Sequence, residues 1–175
     1  DPNGGSTDGI VRWDASAIDG GLASWNVGEC DSIVKPNTIW NSENYLNIWV
    51  LDLVDQIDPT STLLGFAQFP SSIYENWGMP FNPNTDGVVM TYKAFGTSPN
   101  NFPTHNLGRT LTHEVGHYLG FFHTFMGDCT GDDLCDDTPL QEENTYGCPT
   151  TWKFNSCINF PVMTNNFMDY VDHGC

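Results

Sequence analysis

His113-Glu-Val-Gly-His-Tyr-Leu-Gly-Phe-Phe-His123, HEVGHYLGFFH, gathers three of the five histidines of a 175-residue chain into eleven positions. A helix is expected around it, over Leu107–Leu119, because Leu107, Leu111, Val115 and Leu119 recur at every fourth residue. His113 and His117 stand two residues on from Leu111 and Val115. That step turns a helix by about 200°, so the histidines are expected to face away from the leucine stripe, and the stripe to pack inward. Gly120 follows His117 by three residues and can take the left-handed backbone that stops a helix. The turn would bring His123 back beside the other two.

This spacing has a chemical reading. Imidazoles at i and i+4 project side by side, which suits two nitrogens on one zinc ion at roughly 2.0–2.1 Å. His123 supplies a third ligand, and three protein ligands leave one coordination position open, as in catalytic rather than structural sites. Glu114 reaches the same place from the side and is positioned as general base and acid toward a zinc-bound water. The bland reading, histidines on an exposed helix face, must explain five matched positions of HExxHxxGxxH together with a separately derived helix stop. His105 and His173 fall outside the pattern and read as ordinary polar residues.

Outward from the helix, three strands are expected. Tyr45–Leu53 is rich in β-formers and Val88–Tyr92 follows an Asp-Gly turn. Gly65–Phe69 ends at Pro70 and reads as a short edge strand. Beyond Gly120 helical and strand signals fade, and cysteines, prolines and polar turns take over. The organisation is therefore α+β: a twisted mixed sheet packed on the histidine helix, then an irregular, disulfide-rich C-terminal part. One domain is expected, with an N-terminal subdomain over residues 1–123 and a C-terminal one over 124–175.

The chain carries 22 acidic and five basic residues, a net charge of −17. Such a field opposes nucleic acid and anionic lipid. No apolar run approaches the roughly 18 residues of a membrane span. Six cysteines without a CxxC pair favour disulfides, hence a secreted or periplasmic setting, over free thiols or a cysteine zinc site. Six cysteines allow fifteen pairings, among which spacing does not choose. The loop from Asp128 to Pro139 holds Asp128, Asp132, Asp133, Asp136 and Asp137. It lacks the EF-hand pattern. It is either a solvated loop or a calcium site using Asp133, Asp137 and the Thr138 hydroxyl.

On these residues the chain resembles the metzincin clan of zinc endopeptidases. Within the clan it is similar to the pappalysin family, through YLNIWV, GFAQFP, DGVVM, LTHEVGHYLGFFHTF, DDTP and NNFMDY. The resemblance implies a metzincin-type zincin fold, one catalytic Zn2+ on His113, His117 and His123, and Glu114 as base. It implies Met168 in a methionine turn beneath the metal, and Tyr170 near the metal or the oxyanion, the alternative for Tyr170 being a packed ring in that turn. A protein or peptide substrate would lie extended along Gly65, Phe66, Ala67 and Gln68, with Asp172 and His173 in the wall of the pocket that takes the residue after the cleaved bond. Some pappalysins favour a basic residue there; His173 stands where some relatives carry an acid, which weakens that expectation. The family also implies Ca2+ after the zinc motif, and the pairs Cys129–Cys157, Cys148–Cys175 and Cys30–Cys135. Relatives carry further elements before the DPNG turn and after Cys175, so the resemblance implies a longer intact protein. The activity implied is a secreted, monomeric zinc endopeptidase. A catalytically silent, adhesin-like binding module is the alternative, and Glu114 speaks against it.

Overall fold

The computed structural model describes residues 1–14, 17, 22–150, 153, 154, 157 and 161–174. Three strands form one mixed sheet: β1 (Ile48–Leu51), β2 (Gly65–Ala67) and β3 (Val88–Thr91), in the order β1-β3-β2. β3 runs parallel to β1 and antiparallel to β2. It is covered on both sides and fully buried, which its unbroken run VVMT anticipates. Among the described residues β2 pairs on one side only, so its other edge is free.

All three strands are shorter than sequence alone suggests, β3 by its last residue only. Ahead of β1, the Asn47 side chain holds the chain by accepting from Trp40 N–H and donating to Trp40 C=O, both at 2.8 Å. These local bonds replace ladder pairing for Tyr45 and Leu46, whereas Asn47 C=O still accepts from Val88 N–H at 2.9 Å. After β2, Gln68 N–H still donates to Gly87 C=O at 3.1 Å before Pro70 ends the run.

One face of the sheet is covered by α1, which runs from Val27 to Thr38 as three joined segments: Val27–Glu29, the π-helical Cys30–Val34, and Lys35–Thr38. A capping box starts it. Asn26 Oδ1 accepts from Glu29 N–H at 3.0 Å, and Glu29 Oε2 accepts from Asn26 N–H at 2.9 Å. Trp25, Cys30, Val34, Leu53 and Val89 make the buried cluster beneath it, with Trp49, Leu51 and Phe66 packed alongside. Cys30 is thus a buried core thiol, and Cys135 is free in the acidic loop. The expected Cys30–Cys135 bridge is not formed, because Cys30 is a wall of the α1 core. A short α2 (Ser71–Asn76) follows Pro70.

The other partner of the sheet is α3 (Arg109–Tyr118), which lies against β2 and β3. Its buried residues are Thr110, Glu114 and His117, whereas Leu107 is 55% and Leu119 64% exposed. The expected inward leucine stripe is therefore corrected. The sheet-facing side of α3 carries the polar residues. Val115 and Leu119 border a separate hollow of about 390 Å³, shared with Met168, Asp133 and Thr138.

From Thr124 onward the described residues form no helix and only isolated bridges, Gly147 to Val171 and Phe154 to Pro161. The Cys129–Cys157 disulfide ties this segment together. Cys148 is also disulfide-bonded; its expected partner, Cys175, lies outside the described residues.

Candidate metal centre

Three local devices bring the histidines together. The i, i+4 spacing sets the His113 and His117 rings side by side on α3, their centroids 4.7 Å apart. Gly120 then adopts φ +99°. Its N–H donates to His117 C=O and Phe121 N–H donates to Gly116 C=O, both at 2.9 Å. This is a Schellman stop, and it needs the left-handed residue that glycine supplies. The reversed chain buries Phe122 and returns His123 to the cluster.

The three Nε2 atoms lie 3.0–3.1 Å from one another. On His113, Nδ1–H donates to Phe167 C=O at 2.6 Å; on His117, Nδ1–H donates to Phe121 C=O at 2.8 Å. Those bonds place the ring protons outward and leave Nε2 lone pairs pointing at each other. Lone pairs so arranged repel unless a cation sits among them. Nitrogens about 2.0–2.1 Å from a tetrahedral zinc stand roughly 3.3 Å apart, close to the observed triangle. Carbonyl partners on the far ring nitrogens are the usual support of such ligands. Burial pushes all three imidazoles down, His113 to about 4 and His123 to about 3, so they are neutral at physiological pH. Among the described residues no other group of three or more His, Cys, Asp or Glu side chains converges in this way.

Glu114 is 6% exposed beside the triangle, and burial pushes its carboxyl up to about 8. Gly65 on β2 makes room for it: a Cβ there would come within 2.8 Å of Glu114 Cγ. Beneath α3, Met168 is buried against Gly116, where a Cβ would meet Met168 Sδ. The turn carrying Met168 is held by Asp169. Asp169 Oδ1 accepts from Thr145 and Tyr170 N–H at 2.8 Å each, and Oδ2 from Gln141 Nε2 at 3.1 Å.

The sequence profile of the M43 peptidases, described as pregnancy-associated plasma protein-A, matches residues 28–175. The chain belongs to this family. It is 40% identical over 157 residues to an extracellular metalloprotease of Pyricularia oryzae, a match covering 87% of this chain and 50% of that protein. A Verticillium alfalfae extracellular metalloprotease is 40% identical over 129 residues, covering 71% of this chain and 43% of its own length. The chain spans about half the length of these fungal relatives. Among solved structures, mature mirolysin of Tannerella forsythia in complex with a cleaved peptide superposes with a TM-score of 0.83 at 38% identity. That match covers all of this chain and 62% of mirolysin. The M43 membership and this superposition make the fold that of a metzincin zinc endopeptidase, with the α+β organisation read from the sequence.

In this M43 chain a cleft of about 430 Å³ runs from the histidines along the free edge of β2. Gly65, Phe66 and Ala67 line it; Gln68 does not. Gln68 is turned inward, donating to Asn82 C=O at 2.9 Å and accepting from Thr85 Oγ1 at 2.5 Å. Tyr170 lines the cleft with its ring 4.8 Å from that of His123, and burial pushes its phenol up to about 12. His173 lines the far wall and Asp172 does not. Sequence reasoning passed over Arg109, Thr110 and His105 in that wall, and Asp169 behind the methionine turn. Thr110 had a signal, being four residues before Glu114 on the same helix face. Asp169 had none beyond its place in NNFMDY.

In the acidic loop, Asp133 is buried and its Oδ1 accepts from Cys135 N–H at 3.0 Å, with the Thr138 hydroxyl also bonded to it. Asp137 is exposed. Leu134 is held at φ +63°, a turn that folds the loop back on itself.

Proposed function

We propose that this chain forms the catalytic core of a secreted zinc endopeptidase, a metzincin that cuts protein or peptide chains bound in extended form. The observation that carries the reading is the triangle of three Nε2 atoms 3.0–3.1 Å apart with a buried carboxyl beside it. His113, His117 and His123 would hold a zinc ion, which when bound would supply Lewis-acid chemistry, lowering the pKa of a water toward neutrality and polarising a carbonyl. Glu114 takes the proton of the attacking water and returns it to the leaving amine. Burial raises this carboxyl in the zinc-free chain, and a cation beside it would favour the ionised form that takes the proton. The Tyr170 phenol, raised to about 12 and so protonated, can donate to the oxygen that gains charge as the carbonyl is attacked. The substrate main chain pairs with the free edge of Gly65–Ala67, which fixes register without reading side chains.

The fungal relatives named extracellular and the disulfide of the C-terminal part support secretion. A single catalytic domain, acting as a monomer, with subdomains meeting at His123, is part of the same reading. Among the described residues no helix is long and apolar enough to cross a membrane. Calcium in the loop of Asp133, Asp137 and Thr138 is proposed as a structural support, on the loop's charge and the burial of Asp133.

One experiment tests these assignments together. A denatured protein substrate is offered to the enzyme after chelation, then after refilling with zinc alone or with zinc plus calcium. Cleavage should vanish with the chelator and return with zinc, and calcium should raise the melting temperature without being needed for turnover. Glu114→Gln should bind zinc and lose at least about 10²-fold in rate. Cleavage that ignores the chelator, or survives Glu114→Gln, would sink the enzyme reading and leave a binding module.

A further inference from the structure

The three imidazoles of the centre are held in two different ways. His113 and His117 each give an Nδ1 proton to a backbone carbonyl, of Phe167 at 2.6 Å and of Phe121 at 2.8 Å. Such a bond fixes the plane of a ring and keeps its proton off Nε2. Among the described residues no carbonyl or carboxylate holds the His123 Nδ1. The bonds of that ring run through Nε2 to the other two histidines. The χ2 torsion of a histidine is broad, so a ring without a tether can swing. A swing of His123 would carry its Nε2 off the triangle.

Aromatic rings stand where the tether is missing. Phe125 is stacked on His123, with centroids 4.7 Å apart and planes 12° from parallel. Tyr170 meets the same imidazole edge-on, at 4.8 Å and 75°. Phe125 and Tyr170 also touch, at 5.0 Å and 67°, so the three rings close into one cluster. The backbone makes the stack possible. Met126 N–H donates to His123 C=O at 3.0 Å, a turn that folds Phe125 back over His123. Thr124, inside that turn, is buried. Its N–H donates to Met168 C=O at 3.3 Å and its hydroxyl to Gln141 Oε1 at 3.0 Å. The turn is therefore fastened to the methionine turn and its neighbours. Phe125 itself is half-buried, lies outside the core cluster beneath α1 and lines neither hollow. Its place in the molecule is behind the third histidine.

We infer that Phe125 is a positioning residue for the third metal ligand: its stacked ring sets the plane of His123, as hydrogen bonds set those of His113 and His117. The consequence for metal binding rests on the zinc reading above, whereas the stack itself belongs to the zinc-free chain. A phenyl plane parallel to the imidazole blocks its swing. An aliphatic side chain of similar bulk fills the space without setting a plane.

The test compares the wild type with Phe125→Leu and Phe125→Met, which remove the ring, and Phe125→Tyr, which keeps it. Proton NMR of the zinc-free chain reads the stack, because an imidazole lying over a phenyl face is shifted upfield. The His123 signals, identified by their loss in His123→Ala, should move downfield in Phe125→Leu and Phe125→Met and stay in Phe125→Tyr. Zinc affinity, read by competition with a chromophoric chelator, should fall at least about tenfold in the two ring-free variants and recover in Phe125→Tyr. A merely structural role would lower the melting temperature of the ring-free variants and leave the zinc affinity of the folded protein alone. Unchanged affinity in Phe125→Leu and Phe125→Met, equal loss in Phe125→Tyr, or His123 signals that do not move would overturn the inference. Should the wild type take up no zinc, the endopeptidase reading fails, and the His123 signals still decide whether Phe125 sets that ring.

Discussion

At the scale of single residues, the centre depends on what is missing as much as on what is present. Gly65 has no Cβ, and one placed there would meet Glu114 Cγ at 2.8 Å, Met90 Sδ at 2.9 Å and Val89 C=O at 3.0 Å. Gly65→Ala should cost about 1–3 kcal/mol through overpacking. It should also push Glu114 off its position, lowering kcat at least about tenfold while zinc stoichiometry stays at one. Zinc content and kcat measured on the same preparation check this; unchanged kcat would show that Glu114 does not need the space. The converging histidines and Glu114 are legible in the sequence because a shared metal would demand fixed spacing along a helix. Gly65 is visible only as part of an edge strand, since the clash it avoids is with a side chain 49 positions away (114 − 65). His173, taken from sequence as an ordinary polar residue outside the zinc pattern, turns out buried, with both ring nitrogens bonded.

At the scale of elements, α3 shows why periodicity found the helix and misjudged its facing. The repeat of Leu107, Leu111, Val115 and Leu119 is real, but Leu107 precedes the first helical turn and Leu119 caps the last. The side that packs on the sheet is polar because it builds the site, so burial there runs against hydrophobicity. α1 was not apparent at all. Pro36 and a break in α-geometry disguise it, although Asn26 and Glu29 carry the capping-box spacing that marks its start. The stop after α3 was legible, since Gly120 does adopt the left-handed backbone. A Cβ on Gly120 finds only ordinary contact, with Pro70 Cγ at 3.6 Å, so strain there comes from the backbone alone. Gly120→Ala should cost about 1–2 kcal/mol. Because the stop aims His123, zinc affinity should fall by roughly tenfold. Competition with a chromophoric chelator measures it, and an unchanged affinity would mean that His123 is aimed by other contacts.

At the scale of the whole molecule, the class and the single sheet-and-helix organisation follow from patterns a few residues long. The C-terminal segment does not, because side-chain bonds such as those of Asp169 and Gln141, rather than regular ladders, hold it. All five histidines are pushed below 6.5 in the fold, chiefly by burial, His113 and His173 to about 4 and His123 to about 3. A base with a depressed folded pKa binds protons more readily when unfolded, so its stability is complete above about 6.5 and is lost as pH falls toward 4. Glu114, raised to about 8, acts in the opposite sense and loses its contribution as pH climbs from 4.5 through 8. The zinc-free chain should therefore melt highest near pH 6–7 and lose stability steeply on the acid side. High salt removes the competing relief of its −17 charge. His173→Gln should shallow the acid limb, and a melting temperature that is flat between pH 6.5 and 4 would contradict this. The central claim is most directly tested by X-ray absorption at the zinc edge on the purified, active protein. Three imidazole nitrogens and one exchangeable oxygen at about 2.0–2.1 Å are predicted, with one nitrogen lost in His123→Ala. A fourth protein ligand on the metal, or a spectrum unmoved by His123→Ala, would contradict the account.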